Sequence, residues 1–273
     1  MSATPKIGVF DSGFGGLTVL REMLRQVPAA EYLYFGDTAR LPYGSKSAQT
    51  VAHCAIGAVR HLRQQGAEMM VIACNTATAL AFPQIEAALD VPVIGVVEPG
   101  AETAAALTKS KNVAVIATEA TVSSHAYQKA LEKRGITARE KACPLLVPLI
   151  EEGWLDHSVT EQVAHIYMDE IFRDGLIGTD VLVLGCTHYP LIRSVLRKVV
   201  PPEVAIVDSA ESTAGAVAKV LGHGSAEAGS HNPSGPTETK LTFFATDSTE
   251  KFQRLGERFL GRPIAHVQHV ALD

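Results

Sequence analysis

Several short runs of the sequence are apolar at every position, and this feature constrains the fold more than any other. Residues 69–73 and 181–184 are two such runs, and neither alternates between apolar and polar residues. Because a strand tolerates such a run only when both of its faces are covered, the pattern predicts strands buried in parallel sheets. The predicted strands are 6–10, 31–36, 69–73, 92–97, 112–117, 180–184, 204–207, 240–245 and 264–267.

Amphipathic stretches rich in Ala and Leu lie between many of these runs and predict helices. They include 47–65, 76–89, 121–134, 158–174 and 188–199. Alternation of strands and helices is typical of βαβ units. The predicted fold class is therefore α/β, with doubly wound, mostly parallel sheets.

A partial repeat relates the two halves of the chain. Residues 71–76 and 183–188 share one plan, in which an apolar strand is followed by a small residue, a cysteine and a polar pair. The repeat predicts two similar domains related by pseudo-two-fold symmetry, with the active site in the cleft between them. Residues 1–97 together with 210–273 are predicted to form the first domain, and residues 98–209 the second.

Composition and charge narrow the class of protein. The 273 residues are 47% hydrophobic and 19% charged, a balance typical of a globular chain. The net charge of −5 predicts no broad basic face, so neither nucleic acid nor an anionic membrane is expected as the main partner. No secretory signal or membrane span is apparent, which favours a cytoplasmic protein. Segment 222–239, rich in Gly, Ser and Pro, is predicted to be a surface loop.

Two of the four cysteines directly follow buried strands, and they are the main chemical signal. Cys74 and Cys186 each precede polar residues that are predicted to open a helix. The positive end of a helix dipole lowers a thiol pKa, and the free N–H groups of a first turn can bind a carboxylate. These two thiols are predicted to be reactive. Cys54, in a predicted helix, and Cys143, in an apolar stretch, are predicted to be buried instead.

Other polar residues at strand ends are further candidates, because ligands of parallel sheets bind beyond the carboxyl ends of the strands. Asp11 could accept a hydrogen bond from a substrate ammonium group, and its charge disfavours a phosphate. His188 either assists proton transfer by Cys186 or makes a structural hydrogen bond. His266 and His269 have metal-like spacing but no acidic or thiol neighbours, so no metal site is predicted.

Four segments at these strand ends are long, ordered and jointly specific, namely 9–20, 35–44, 72–77 and 184–191. Together they resemble the glutamate racemases, in the cofactor-independent aspartate/glutamate racemase family, and the similarity covers nearly the whole chain. The resemblance implies a two-domain α/β fold with the site between the domains. It also implies interconversion of L- and D-glutamate without a cofactor, which supplies D-glutamate for bacterial peptidoglycan.

The resemblance also assigns roles to individual residues. It implies that Cys74 takes the α-proton from D-glutamate and Cys186 takes it from L-glutamate, with Asp11 and His188 as further catalytic groups. Glu151 matches the auxiliary acid that accompanies His188, although the adjacent Glu152 is an alternative. The positions that match substrate-contacting residues are Asp11, Ser12, Pro42, Tyr43, Gly44, Asn75, Thr76, Thr118, Thr121, Thr187 and His188.

Three other functions are compatible with the same residues. A racemase of aspartate or another amino acid would keep both thiols and change the side-chain pocket. A thiol hydrolase or isomerase would use one nucleophilic cysteine with His188 and leave the second thiol idle. A non-catalytic solute-binding module of similar fold would bind its ligand without turnover. The sequence does not fix the oligomeric state, but a homodimer is expected for an enzyme of this kind.

Overall fold

Two parallel sheets organise the protein, as seen in a computed structural model that describes residues 4–173, 178–222 and 239–272. The predicted α/β class is confirmed. Most of the predicted loop 222–239 lies outside the described residues. The described strands are β1 Lys6–Asp11, β2 Glu31–Gly36, β3 Met69–Ile72, β4 Val93–Gly95, β5 Asn112–Ala117, β6 Thr137–Ala142, β7 Val181–Gly185, β8 Ala205–Asp208, β9 Leu241–Ala245 and β10 Val267–His269.

The six-stranded sheet has the order β10-β9-β2-β1-β3-β4, and the four-stranded sheet has the order β6-β5-β7-β8. The described strand pairs are parallel in both sheets. β3 and β7, the strands that precede the two candidate cysteines, are buried at every position. Each is covered on both faces by helices, which explains their unbroken apolar sequences.

Helices connect the strands and cover both sheets. They are α1 Leu17–Gln26, α2 Ala48–Gln64, α3 Asn75–Ala87, α4 Val97–Leu107, α5 Glu119–Ser124, α6 Ala126–Glu132, α7 Leu146–Glu151, α8 Ser158–Arg173, α9 Arg193–Val199, α10 Ser209–Val220 and α11 Thr249–Leu260. Local signals fix several boundaries. The Ser248 hydroxyl caps the first turn of α11, and Gly261 ends this helix with φ of 76°. Among the described helices, none is long and apolar enough to cross a membrane.

Some predicted elements differ from the structure at their ends. The predicted strand 92–97 is shorter, because α4 begins at Val97. The predicted helix 121–134 is two helices, because His125 adopts a left-handed conformation with φ of 55° between them. The last strand, predicted at 264–267, is Val267–His269.

Strand β6 was not predicted at all. Its sequence includes Arg139, Glu140 and Lys141, and its residues are only partly buried because β6 lies at the edge of the smaller sheet. An edge strand of this kind lacks the apolar pattern on which the prediction depends.

Candidate active site

One cavity of about 600 Å³ is lined by residues that follow the strands of both sheets. The loops after β1, β2 and β3 contribute to one part of its wall, and the loops after β5 and β7 contribute to another. Most of the predicted site residues line it, namely Ser12, Pro42, Tyr43, Gly44, Cys74, Asn75, Thr76, Thr118, Glu151, Cys186, Thr187 and His188. Both candidate thiols therefore face the same space.

Two predicted site residues, Asp11 and Thr121, lie behind this lining. Asp11 is 1% exposed at the end of β1, and its Oδ2 accepts a hydrogen bond from the Gly13 amide at 2.8 Å. Thr121 is fully buried, and its hydroxyl lies 2.9 Å from that of Thr118 and 3.4 Å from that of Thr76. Thr121 supports the cavity wall, and Asp11 lies next to Ser12, which lines it.

Cys74 caps the N-terminus of α3. Its sulfur accepts a hydrogen bond from the Ala77 amide at 3.4 Å, and its thiol donates to the Ser12 hydroxyl at 3.5 Å. Burial, and after it the nearby charge of Asp11, raises the pKa of Cys74 to about 12. The predicted lowering of this pKa is therefore wrong, because loss of hydration outweighs the helix terminus and the hydrogen bonds. At neutral pH Cys74 is therefore a neutral thiol.

Cys186 has a different neighbourhood from Cys74. The predicted helix at 188–199 begins instead as a 3₁₀ turn, Tyr189–Ile192, so Cys186 does not cap an α-helix. Its sulfur lies 3.9 Å from Nδ1 of His188. The other ring nitrogen of His188, Nε2, lies 3.0 Å from Oε1 of Glu151. Glu151, the last residue of α7, makes this contact, and Glu152 does not line the cavity.

His188 is held in its charged form by these two neighbours. Burial favours the neutral ring, but the hydrogen bonds and electrostatic interactions with Cys186 and Glu151 outweigh burial and raise the pKa of His188 to about 10. At neutral pH the ring is therefore an imidazolium. The His188 ring also packs nearly perpendicular to the Phe259 ring, with a centroid separation of 5.0 Å, and this contact restricts its orientation.

Unpaired polar atoms at the cavity indicate what a ligand must supply. Within the described part of the chain, Oδ1 of Asp11 and Nδ2 of Asn75 are buried without a hydrogen-bond partner. Oδ1 of Asn75 accepts a hydrogen bond from Tyr127 at 2.7 Å, which fixes the amide. A buried acceptor and a buried donor without partners are costly unless a ligand satisfies them. An ammonium and a carboxylate on one molecule would satisfy both.

Sequence reasoning missed some of the lining residues. Those absent from the prediction are Thr38, Leu41, Ser45, Glu119, Pro144, Val147, Pro148 and Lys251. Residues 144–148 follow β6, and because the sequence does not predict this strand, it does not predict the residues at its end. Lys251 lies in the first turn of α11, several residues after the end of β9, so a search of the residues directly after each strand does not find it. Among the described residues, no cluster of three or more His, Cys, Asp or Glu side chains could hold a metal ion.

Comparison with known proteins supplies independent information. Residues 7–217 match the Asp/Glu/Hydantoin racemase family. The chain is 63% identical to the glutamate racemase of Koribacter versatilis, over 98% of each chain. Among solved structures, glutamate racemase isoform RacE1 from Bacillus anthracis is 37% identical, with a TM-score of 0.88 over 100% of this chain and 99% of that one. Glutamate racemase from Francisella tularensis in complex with D-glutamate is 34% identical, with a TM-score of 0.87 and the same coverage.

Proposed function

The chain belongs to the Asp/Glu/Hydantoin racemase family, and from that premise we propose that it interconverts L- and D-glutamate, with Cys74 and Cys186 as the proton-transfer groups. The observation that carries the proposal is that these two thiols, at corresponding strand ends of two sheets, line one cavity. The high identity to a glutamate racemase over nearly the full length supports glutamate as the substrate.

Two sulfur atoms suffice for the reaction. Racemisation breaks the Cα–H bond on one face of the substrate, leaves the electron pair in a planar carbanion-like intermediate, and forms a new Cα–H bond on the other face. With L-glutamate, the Cys186 thiolate takes the proton and the Cys74 thiol donates one. With D-glutamate the two residues exchange roles, so one must be ionised while the other is protonated.

The surroundings of the two thiols favour the protonation state that starts from L-glutamate. The raised pKa of Cys74, about 12, keeps that residue protonated as an acid. The imidazolium of His188, with a pKa of about 10, lies beside the sulfur of Cys186 and stabilises negative charge there. After one turnover the thiols carry the opposite protonation states, and exchange with solvent resets them.

The remaining polar groups orient the substrate and stabilise the charge that develops on it. Asp11 accepts a hydrogen bond from the ammonium, and Asn75 donates one to a carboxylate. The free amides at the start of α3 and the hydroxyls of Thr76 and Thr118 add donors for the carboxylate as it gains enolate character. This arrangement needs no electron-withdrawing cofactor.

The cellular role follows from the product. We infer that the chain supplies D-glutamate for bacterial peptidoglycan and acts in the cytoplasm as a homodimer. Sedimentation velocity of the purified protein tests the assembly, since a mass near twice 29.0 kDa is expected and a single-chain mass would contradict the dimer.

L-Glutamate in deuterated water provides the direct test of the reaction. The circular dichroism of the substrate should decay to zero, while proton NMR shows deuterium replacing the α-proton. Exchange with no loss of optical activity, or neither change, would overturn the proposal. Mass spectrometry of the enzyme during turnover should detect no covalent adduct, which the single-nucleophile hydrolase requires.

L-Aspartate separates the nearest rival substrate. A pocket that fits glutamate loses contacts with a substrate shorter by one methylene, a change worth about 10- to 200-fold in kcat/KM. We therefore expect aspartate to be racemised at least about tenfold less efficiently. Equal or better kcat/KM with aspartate would reassign the substrate while leaving the two-thiol chemistry in place.

A further inference from the structure

The C-terminal end of α7, which carries Glu151, is held by an arginine from a distant part of the chain. Carbonyls of Pro148, Leu149 and Ile150 accept hydrogen bonds from the three residues that follow the helix. The carbonyl of Glu151 accepts one from Nη1 of Arg258 on α11, at 3.0 Å. The last carbonyls of a helix need such partners, and a cation there also complements the helix dipole.

The turn after α7 leaves room for this arginine. Gly153 has φ of 86°, and a Cβ at this position would lie 2.8 Å from Cζ and Nη1 of Arg258. The guanidinium therefore packs directly on the backbone of the turn. Any side chain at Gly153 would displace it, so the glycine and the arginine form one unit.

The next residue of α11 touches the other member of the same pair. The ring of Phe259 is fully buried and packs on the ring of His188. Consecutive residues of one helix thus contact both partners of the hydrogen bond between Glu151 and His188. Phe252 and Leu260 are also buried, so α11 is anchored in the hydrophobic core.

Glu151 needs such support. Its side chain is 30% exposed, so it could leave His188 for water. α7 is only six residues long, and a helix of this length has little stability of its own. A fixed C-terminal end of α7 would limit the movement of this carboxylate away from the ring.

We propose that Arg258 is a positioning residue for racemisation, which holds the Glu151 carboxylate against His188 and so keeps the imidazolium beside Cys186. The inference rests on the proposed function. Arg258 contacts the backbone of Glu151 and does not line the cavity, so it acts only through Glu151.

The kinetic test compares Arg258→Met with Arg254→Met. Arg254 lies one turn earlier on α11, is also exposed, and makes no hydrogen bond to Glu151 in the described chain. We expect Arg258→Met to lower kcat/KM about tenfold, Arg254→Met to leave it unchanged, and Arg258→Lys to restore part of the loss. Equal losses in the two Met variants would overturn the proposal.

Two readouts separate positioning from general destabilisation. In a Glu151→Ala background, Arg258→Met should have no further effect, because the carboxylate that it positions is absent. In Arg258→Met itself, the isotope effect on kcat/KM with α-deuterated L-glutamate should rise and that with α-deuterated D-glutamate should fall, because the Cys186 step becomes the slower one. Additive losses, or isotope effects that do not diverge, contradict the proposal.

A crystal structure of the Arg258→Met variant tests the inference even if the wild-type chain has no racemase activity. We expect the distance from Glu151 Oε1 to His188 Nε2 to lengthen beyond hydrogen bonding. If it stays near 3.0 Å, Arg258 does not position Glu151. If the wild type does not racemise glutamate, the proposed function is refuted. The position of Glu151 in the variant still tests the role of Arg258 independently.

Discussion

At the residue scale, two buried titratable groups on the cavity wall are driven in opposite directions by their surroundings. Cys74 has lost its water and faces the charge of Asp11, so its pKa rises to about 12 and its neutral form dominates. His188 has also lost its water, but its interactions with Cys186 and Glu151 raise its pKa to about 10 and stabilise its charged form. Burial therefore keeps Cys74 neutral, whereas the contacts of His188 outweigh burial and keep its ring charged, which is the asymmetry that the proposed two-base reaction needs.

The raised pKa of His188 makes stability depend on pH. Because the folded protein binds this proton more tightly than the unfolded chain, whose histidine pKa is 6.5, the contribution is fully present below pH 6.5. It is lost as the pH rises to about 10. We expect His188→Asn to be less stable than the wild type by the order of a few kcal/mol at pH 6.5, with the gap closing towards pH 10.

Thermal unfolding across that pH range measures the gap. His53→Asn, at an exposed position on α2, is the matched control and should track the wild type at every pH. A gap between His188→Asn and the wild type that stays constant from pH 6.5 to 10 would mean that His188 is not held as an imidazolium.

The sequence predicts that both thiols lie at strand ends, and the structure places both on the wall of one cavity, but the sequence does not predict the ionisation of Cys74. Strand-end position is visible in the order of residues, whereas the pKa of Cys74 depends on how completely the folded chain excludes water from its sulfur. The charge of Asp11, 63 positions earlier in the chain, adds to that effect. The contact between Glu151 and His188 is likewise not predictable from the order of residues, because it depends on where α7 ends in the folded chain.

At the element scale, the loop after β1 packs closely against the loop after β7. A Cβ at Gly15 would lie 2.6 Å from Nδ1 of His188 and would also overlap Oγ1 of Thr187. The Thr18 hydroxyl donates a hydrogen bond to the Thr187 carbonyl at 2.9 Å across the same contact. These contacts join the ends of the two sheets around the cavity.

Gly15→Ala should therefore damage catalysis more than stability. The added methyl group must push His188 and Thr187 away, and a displacement of about 1 Å at a reacting site costs about 10²-fold in rate. We expect kcat/KM to fall by about that factor. Gly57→Ala is the control, because its Cβ would meet only Leu272, at 3.7 Å, and alanine in α2 should stabilise the fold by about 0.5–1 kcal/mol. Unchanged activity in Gly15→Ala would contradict the close approach of the loops.

Elements with a clear apolar pattern were predictable, and elements defined by their partners were not. β1, β3, β5 and β7 lie at or within a residue of the predicted positions, because a strand buried on both faces has an unmistakable composition. β6 forms because β5 offers it a free edge, which no pattern within 137–142 reveals. The left-handed residue that divides α5 from α6 is likewise not marked by the apolar pattern of 121–134.

At the scale of the whole molecule, the cavity is built from strand ends of both sheets, so a ligand that fills it should stabilise them together. Glutamate at about 100 times its Kd should add about 2.7 kcal/mol to the free energy of unfolding, a shift of several degrees in Tm. Glutarate lacks the ammonium group that would donate a hydrogen bond to Asp11, so it should shift Tm less at the same concentration. Equal shifts with both ligands, or none with glutamate, would contradict the proposed binding mode.

The most direct measurement of the central claim is α-proton exchange in deuterated water by single-thiol variants, followed by proton NMR on each enantiomer separately. Cys186→Ala should exchange the α-proton of D-glutamate only, and Cys74→Ala that of L-glutamate only, with racemisation lost in both. Cys54→Ala, at a buried thiol in α2 outside the cavity lining, should behave as the wild type. If either active-site variant still racemises, or exchanges both enantiomers equally, the two sulfurs do not serve opposite faces of the substrate.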